Sequence, residues 1–300
     1  MSAPEISVII PVFNRPELLR RALQSLLNQT SQNFEVVICD HGSTESVDLV
    51  VDEFRHLLNL TFIKAAQQGG VGFPRNRAIE SASSDWVAFL DSDDWWTPKK
   101  IEAALPLLNN EVDFIYHQLE IIRDFGGNEK KSFKGRSLQF DFLTELVAVS
   151  NPIPNSSVVV RKSCLDAVGG FDENRFIIED FDLWVRLAQN RLRTQFIDEV
   201  LGYYWVSNNG ISAVSEFQLE SHIQTYEKLL PTLPTALQKL AYAKYQYTLA
   251  ILELKLGRPR KSLQHLIAAK KFQTYEQGLK KWLMLVYIFL FKRFGRHNIK

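Results

Sequence analysis

Two groups of acids carry the chemistry in this sequence. Asp91, Asp93 and Asp94 fall within four residues, directly after the apolar run Val87-Ala88-Phe89-Leu90. Carboxylates this close repel one another, and one or more must bind a proton unless a cation is at hand. A hard divalent cation, Mg²⁺ or Mn²⁺, meets that need. It prefers carboxylate oxygen, and one or two protein carboxylates commonly hold it together with substrate phosphates. Asp91-Ser92-Asp93 therefore predicts a grip on a cation and, through it, on a nucleotide diphosphate, while Asp94 is placed to cap the next turn. The second group is Glu179, Asp180 and Asp182, ahead of Leu183-Trp184-Val185. Acids in a first helical turn are favoured by the helix dipole, which suits Asp182, whereas Asp180 is the better general base.

Two loops add polar groups. Asp40 closes an apolar strand before His41-Gly42-Ser43, so its carboxylate can accept from a base or ribose, or else close an Asx turn. Between Gln67 and Arg77 three glycines let backbone approach a ligand, and Arg75 and Arg77 offer forked donors. That loop matches neither the Walker sequence nor G-x-G-x-x-G, which argues against kinase-like and dinucleotide sites.

The elements that must position these groups alternate. Ile6 to Ile10 is a β-branched run stopped by Pro11, and Pro16 then opens a helix with Leu18, Leu19, Ala22, Leu23, Leu26 and Leu27 at helical spacing. Phe34 to Cys39 reads as strand, 45–58 as helix, 60–64 as strand, 74–83 as helix and 85–90 as strand. Such alternation predicts βαβ crossovers and a mainly parallel sheet whose ligands gather beyond the strands' carboxyl ends. Those ends are Pro11 to Asn14, Asp40 to Ser43 and Asp91 to Asp94.

The 300 residues are 46% hydrophobic and 23% charged, a globular balance with room for two domains. The formal charge of +1 gives no global attraction to nucleic acid. Cys39 and Cys164 are too few for a disulfide framework and fit a reducing compartment. No signal peptide is evident at the N-terminus, so a cytoplasmic location is expected. Residues 216–300 read as helical, with a hairpin resembling one tetratricopeptide unit. Trp282 to Phe291 is unbroken apolar sequence between basic flanks. Ten helical residues rise about 15 Å, too short to span a bilayer, so 280–296 is either a buried helix or an interfacial anchor on the inner face of the membrane.

Four ordered blocks make the sequence resemble the family 2 glycosyltransferases of the GT-A fold, from about residue 5 to about 212. They are SVIIPVFNRPELLRRALQSLLNQ, VVICDHGSTE, GGVGFPRNRAIESASSDWVAFLDSDDWW and NSSVVVRKSCLDAVGGFDENRFIIEDFDLWVRL, with YYWVSNNGIS after them. The resemblance implies a Rossmann-like α/β domain at 1–215, with helices on a mainly parallel sheet, and a helical extension at 216–300. It also implies transfer of a sugar, with inversion, from a UDP- or dTDP-sugar to a glycan or lipid-linked acceptor in cell-surface polysaccharide synthesis. Carried over residue by residue, Pro11 and Phe13 border the nucleotide, Asp40 contacts the base and Arg75 lies near base or diphosphate. Asp91, Ser92 and Asp93 meet the donor, Asp93 and Asp91 hold the metal, Asp180 is the base, and Glu179 and Trp184 face the acceptor. The sequence departs from the family at His41, where a second aspartate is common, and at Arg15, where an acid is common. It also lacks a histidine in YYWVSNNGIS, which leaves that part of the diphosphate site to Tyr204, Trp205 or water. Two other classes are weighed. A sugar-nucleotide pyrophosphorylase would need a glycine-rich signature near the first strand, which is absent. A silent carbohydrate-binding scaffold would have no use for both acid groups.

Overall fold

The computed structural model describes residues 3–123, 131–174, 177–207 and 215–269. They form two compact units, Met1–Phe142 with Asn151–Gly210, and Leu143–Ser150 with Ile211–Lys300.

The first unit begins with the expected alternation. Strand β1 (Ile6–Val12) leads through helix α1 (Pro16–Leu27) to β2 (Phe34–Asp40), then through α2 (Val47–Phe54) to β3 (Leu60–Lys64) and through α3 (Gly72–Ser81) to β4 (Trp86–Phe89). All seven residues of β2 and all four of β4 are buried, which is why these strands read as continuous apolar runs. Helix α1 starts on Pro16, whose missing N–H costs nothing at that position, and it buries Leu19, Ala22, Leu23 and Leu26. Helix α3 starts two residues before the expected 74–83, because Gly72 is already helical.

The strand order is β3-β2-β1-β4-β8-β6-β9-β5, with β7 beside β6. The first four strands are parallel, with Val8 opposite Val36 on one side and Ala88 on the other. The chain moves outward from β1 to β3 and then returns to place β4 on β1's other edge. That reversal opens a crevice at the carboxyl ends of β1 and β4. The second half of the sheet is mixed. β8 (Val159–Arg161) runs antiparallel to β4 and to β6 (Phe114–Arg123), β9 (Thr194–Val206) runs parallel to β6, and β5 (Trp95–Trp96) pairs antiparallel with β9. Short β7 (Phe133–Lys134) is antiparallel to β6. The expectation of a mainly parallel sheet thus describes β1 to β4, because the strands that follow β4 are too short or too irregular to show a period. Helices α4 (Lys100–Ala104), α6 (Lys162–Ala167) and α7 (Glu179–Gln189) complete this unit.

The second unit is helical. Short α5 (Phe142–Thr144) runs into a π-turn at Glu145–Val149, and later α8 (Glu216–Leu229), α9 (Thr235–Lys255) and α10 (Pro259–Ala268) follow. Helices α9 and α10 form the expected hairpin, turned at Gly257 with φ of 75°. Ser262 Oγ donates to Ala250 O at 2.7 Å within it, and Tyr226 stacks on Tyr245 with ring centroids 4.8 Å apart. Among the described residues no helix is long and apolar enough to cross a membrane. The apolar run Trp282 to Phe291 and its basic flanks lie outside the described residues.

Candidate active site

At the switch point of the sheet, the end of β1 is tied to the end of β2. Asn14 takes up a left-handed conformation with φ of 50°, and its Oδ1 accepts from the backbone N–H of Thr44 at 2.7 Å. Its own N–H donates to Ser43 Oγ at 2.8 Å. Asparagine tolerates that backbone better than most residues and returns a local hydrogen bond.

The loop after β4 is held from several sides. Asp94 is buried, and it accepts from Ser156 Oγ at 2.5 Å and from the Trp205 N–H at 2.9 Å. The same Ser156 Oγ accepts the Asp91 N–H at 3.1 Å. Asp94 therefore fastens the loop to β9 and to the 155–157 turn. Burial and then the charges of Asp93 and Asp91 push its carboxyl well above the usual range. Asp91 Oδ1 accepts from Arg75 Nη2 at 2.6 Å and from Asn155 Nδ2 at 2.9 Å. Asp93 Oδ2 pairs with Arg15 Nη1 at 2.5 Å, and Arg21 Nη2 donates to the Asp93 backbone carbonyl at 2.6 Å. Burial and Asp91 raise the Asp93 carboxyl, and Arg15 opposes them. Ser92 is buried between the two acids.

One buried cation joins the two acid groups. Arg75, from α3, sends Nη2 to Asp91 and Nη1 to Glu179 Oε1 at 2.7 Å, across 104 residues of sequence. Burial pushes Glu179 up to about 7 against the pull of Arg75, with the neighbouring Asp180 charge adding to the rise. The Asp180 carboxyl is also raised by burial, while the Phe181 N–H, Arg75 and Lys134 draw it down. Asp180 Oδ1 accepts that N–H at 2.6 Å. Asp182 is fully buried and bonded to Arg186 Nε at 2.8 Å, as a helix-stabilising acid should be.

The glycine-rich loop supports this arrangement. Gly69 has φ of +57°, and a Cβ there would come within 2.5 Å of the Glu173 carbonyl, which also accepts the Gly70 N–H at 2.5 Å. Gly170 has φ of +67°, and a Cβ there would meet Asn76 Oδ1 at 2.6 Å. Only glycine lets the 69–72 and 170–173 segments close on each other, and that contact carries Arg75 toward Glu179. Arg77, expected to offer donors as well, pairs instead with Glu80 at 2.6 Å and Glu173 at 3.2 Å.

The remaining sequence-predicted residues divide. Pro11 is half-buried, and Phe13 is exposed at the same strand end. Asp40 is buried, and its Oδ1 accepts the Ser43 N–H at 3.1 Å, the Asx turn weighed from sequence. His41 Nε2 lies 2.7 Å from Gln68 O, and the ring stacks on Phe73 with centroids 5.7 Å apart. Trp184, expected on the acceptor side, is corrected: it is fully buried against Phe89, Phe114 and Phe171 and cannot touch an acceptor. Its place on the apolar stripe of α7 puts it in the core. Trp96 is buried too, and Trp95 is stacked on Tyr203 at 5.1 Å with Arg21 3.9 Å from its ring centroid. Both tryptophans pack rather than present a free face. Sequence reasoning missed Asn155, Ser156 and Lys134, the last 3.5 Å from the Tyr204 ring centroid, and noted Arg15 only as a departure from the family pattern without placing it beside Asp93. The run Asn155-Ser156-Ser157 after two prolines was a visible signal; Lys134 had none.

Among the described residues no group of three His, Cys, Asp or Glu side chains is arranged to hold a metal ion. The donor set nonetheless suits a hard cation of the kind that takes one or two carboxylates and completes its shell with phosphate and water. Asp91 and Asp93 flank one residue, and burial together with the Asp91 charge lifts the Asp93 carboxyl. A cation would relieve that repulsion.

Comparison with known proteins gives the family and the fold. Residues 7–157 match the model described as Glycosyl transferase family 2, and residues 86–290 match that described as Glycosyl transferase family group 2. An uncharacterized glycosyltransferase of Haemophilus influenzae is 31% identical over 205 residues, 66% of this chain and 67% of that protein. UDP-Glc:alpha-D-GlcNAc-diphosphoundecaprenol beta-1,3-glucosyltransferase WfgD of Escherichia coli is 33% identical over 120 residues, 40% of this chain and 47% of WfgD. Among solved structures, residues 1–349 of S. aureus TarS in complex with UDP-GlcNAc superpose with a TM-score of 0.64 at 21% identity, covering 88% of this chain and 81% of that one. The mannosyltransferase PcManGT from Pyrobaculum calidifontis, in complex with GDP-Man and Mn2+, gives 0.62 at 16% identity, covering 99% and 89%. These two likenesses bear on the fold, which is GT-A. The chain belongs to glycosyltransferase family 2 and is a glycosyltransferase.

Proposed function

We propose that this chain transfers a sugar, with inversion, from a nucleoside-diphosphate donor, a UDP- or dTDP-sugar, to a hydroxyl of a glycan or lipid-linked acceptor. The observation that carries the reading is Arg75, which holds Asp91 and Glu179 at 2.6 and 2.7 Å and so makes one site of two distant acid groups. A nucleotide-sugar donor is supported by the complexes of the structural neighbours with UDP-GlcNAc and GDP-Man, and the acceptor class by the diphosphoundecaprenol-linked acceptor in the name of WfgD. A lipid-linked acceptor would give residues 280–296 a role at the inner membrane surface, in cell-surface polysaccharide synthesis.

In this reading Pro11 and Phe13 border the nucleotide, Asp40 meets the base, and Ser92 sits at the donor between Asp91 and Asp93. Asp91 and Asp93 would hold a divalent ion, Mg²⁺ or Mn²⁺, which when bound supplies Lewis-acid stabilisation to the departing diphosphate. Arg75 keeps Asp91 and Glu179 in place, and Glu179 on the acceptor side in turn orders the start of α7, where Asp180 stands. Asp180 takes the proton of the acceptor hydroxyl as that oxygen bonds to the anomeric carbon and the bond from that carbon to the diphosphate oxygen breaks. Attack from the face opposite the leaving group inverts the centre. A carboxylate raised by burial is a stronger base than one in water, so the surroundings of Asp180 suit the task.

A thermal-shift screen of nucleotide sugars, with and without chelator, tests the reading. A ligand at 100 times its Kd stabilises by about 2.7 kcal/mol, so the correct donor stands apart, and chelation removes the shift. Release of pyrophosphate from a sugar phosphate and nucleotide would instead favour the pyrophosphorylase class. Absence of any nucleotide-dependent shift would favour the scaffold.

A further inference from the structure

Four carboxylates of the site, Asp91, Asp93, Asp94 and Glu179, differ in how firmly they are held. Asp94 is fixed by Ser156 and Trp205, Asp91 by Arg75 and Asn155, and Glu179 by Arg75. The Arg75 pairs are buried on the arginine side, at 6% exposure. Arg15–Asp93 is different, because the two side chains are 31% and 25% exposed. This part-buried pair is wetter than those of Arg75 and so the more readily exchanged. Arg15 stands at the N-cap of α1, where a guanidinium, having no acceptor, cannot cap, and its side chain reaches instead to the neighbouring loop at Asp93. A divalent cation that binds Asp93 through Oδ2, the oxygen Arg15 Nη1 holds at 2.5 Å, competes with that guanidinium, since like charges repel at so short a distance. A guanidinium released beside a bound diphosphate finds there the oxygens that its fork fits best.

We propose that Arg15 is an exchangeable surrogate cation, which neutralises Asp93 until the metal and donor arrive and then moves to the donor's diphosphate. The proposal rests on the reading of Asp91 and Asp93 as the metal-holding pair. It assigns a diphosphate-positioning role to a residue where the family resemblance puts an acid, and it predicts opposite effects on two ligands.

The test is calorimetric titration of MnCl₂ alone, and then of the nucleoside diphosphate giving the largest thermal shift, in the presence of saturating Mn²⁺. Arg15→Gln is expected to bind Mn²⁺ about tenfold more tightly than the wild type without nucleotide, because the competitor is gone. It should bind the diphosphate about tenfold more weakly. Arg15→Lys is expected to bind Mn²⁺ within threefold of the wild type while losing diphosphate affinity, since a point charge replaces the fork. Unfolding curves should show both variants folded under the titration conditions, with Arg15→Lys, which keeps the charge beside Asp93, the nearer to the wild type. Mn²⁺ affinity that is unchanged or weaker in Arg15→Gln overturns the exchange. Unchanged diphosphate affinity in both variants overturns the positioning role. A wild-type protein that binds no Mn²⁺ even with nucleotide present overturns the metal-site reading itself, an outcome distinct from the other two.

Discussion

Replacing Arg75 by methionine should damage the protein in a pH-dependent way that the wild type forecasts. Arg75 is buried, and it neutralises two carboxylates, Asp91 and Glu179. Removing one partner of a buried ion pair typically costs about 3 to 5 kcal/mol, because the other charge stays behind without compensation. Glu179 sets the sign. Even with Arg75 present its folded pKa is raised from 4.5 to about 7, and that rise is worth roughly 3 kcal/mol at about 1.4 kcal/mol per pKa unit. A raised carboxyl gives stability that is fully present below the unfolded pKa and is lost as pH rises through the folded one. Without Arg75 the folded pKa climbs further, so the two proteins should differ most above pH 8. By pH 5.5 the difference should fall to about half, because Glu179 is then protonated in both folded states. Urea unfolding followed by tryptophan fluorescence is a suitable assay, since Trp86, Trp95, Trp96, Trp184 and Trp205 all lie in the first unit. Arg75→Met/Glu179→Gln should recover about 2 kcal/mol over Arg75→Met at pH 8. A pH-independent loss, or a double variant no more stable than the single, would refute the claim that Arg75 joins the acid groups electrostatically.

Substitutions at two further positions test the packing around the site. Lys100 is fully buried over the Trp96 ring, 4.3 Å from its centroid, and burial lowers its pKa from 10.5 to about 7. The unfolded chain therefore binds a proton that the folded one lacks between pH 7 and 10.5, and stability should rise with pH across that window. Lys100→Met should accordingly stabilise the protein by up to about 5 kcal/mol near pH 7, with the gain vanishing toward pH 10.5 in matched denaturation curves. A gain that persists at pH 10.5 would contradict the burial argument. Trp184→Ala should cost about 3 to 5 kcal/mol of stability, and Trp184→Phe should leave the KM for acceptor within twofold. A selective rise in that KM with stability intact would return Trp184 to the acceptor side.

Much of the site could be read from the sequence because it lies where strands end. Asp40 and Asp91 follow apolar runs that could only be buried strands, and the glycine-rich loop announced close backbone approach. What joins those ends was not legible. Arg75 and Glu179 are 104 positions apart, and no local pattern reports a contact set by the meeting of two loops. Asp94 read as a cap, but its carboxylate reaches Trp205, 111 residues on. The mixed half of the sheet was hidden for a different reason: β8 has three residues and β5 two, too few for any period to show. Trp184 misled because a large aromatic beside catalytic acids suits sugar binding, whereas the helical period of Leu183, Trp184 and Leu187 reports burial.

The most direct test of the account is paired measurement of turnover and donor affinity in Asp180→Asn. The substitution keeps the shape of the side chain and removes its ability to take a proton. General-base action contributes typically 10²- to 10⁴-fold, so kcat should fall by about that factor while calorimetric donor Kd stays within about threefold of the wild type. Turnover within a few-fold of the wild type, or a loss traced wholly to weakened donor binding, would contradict Asp180 as the base that the two joined acid groups are built to hold.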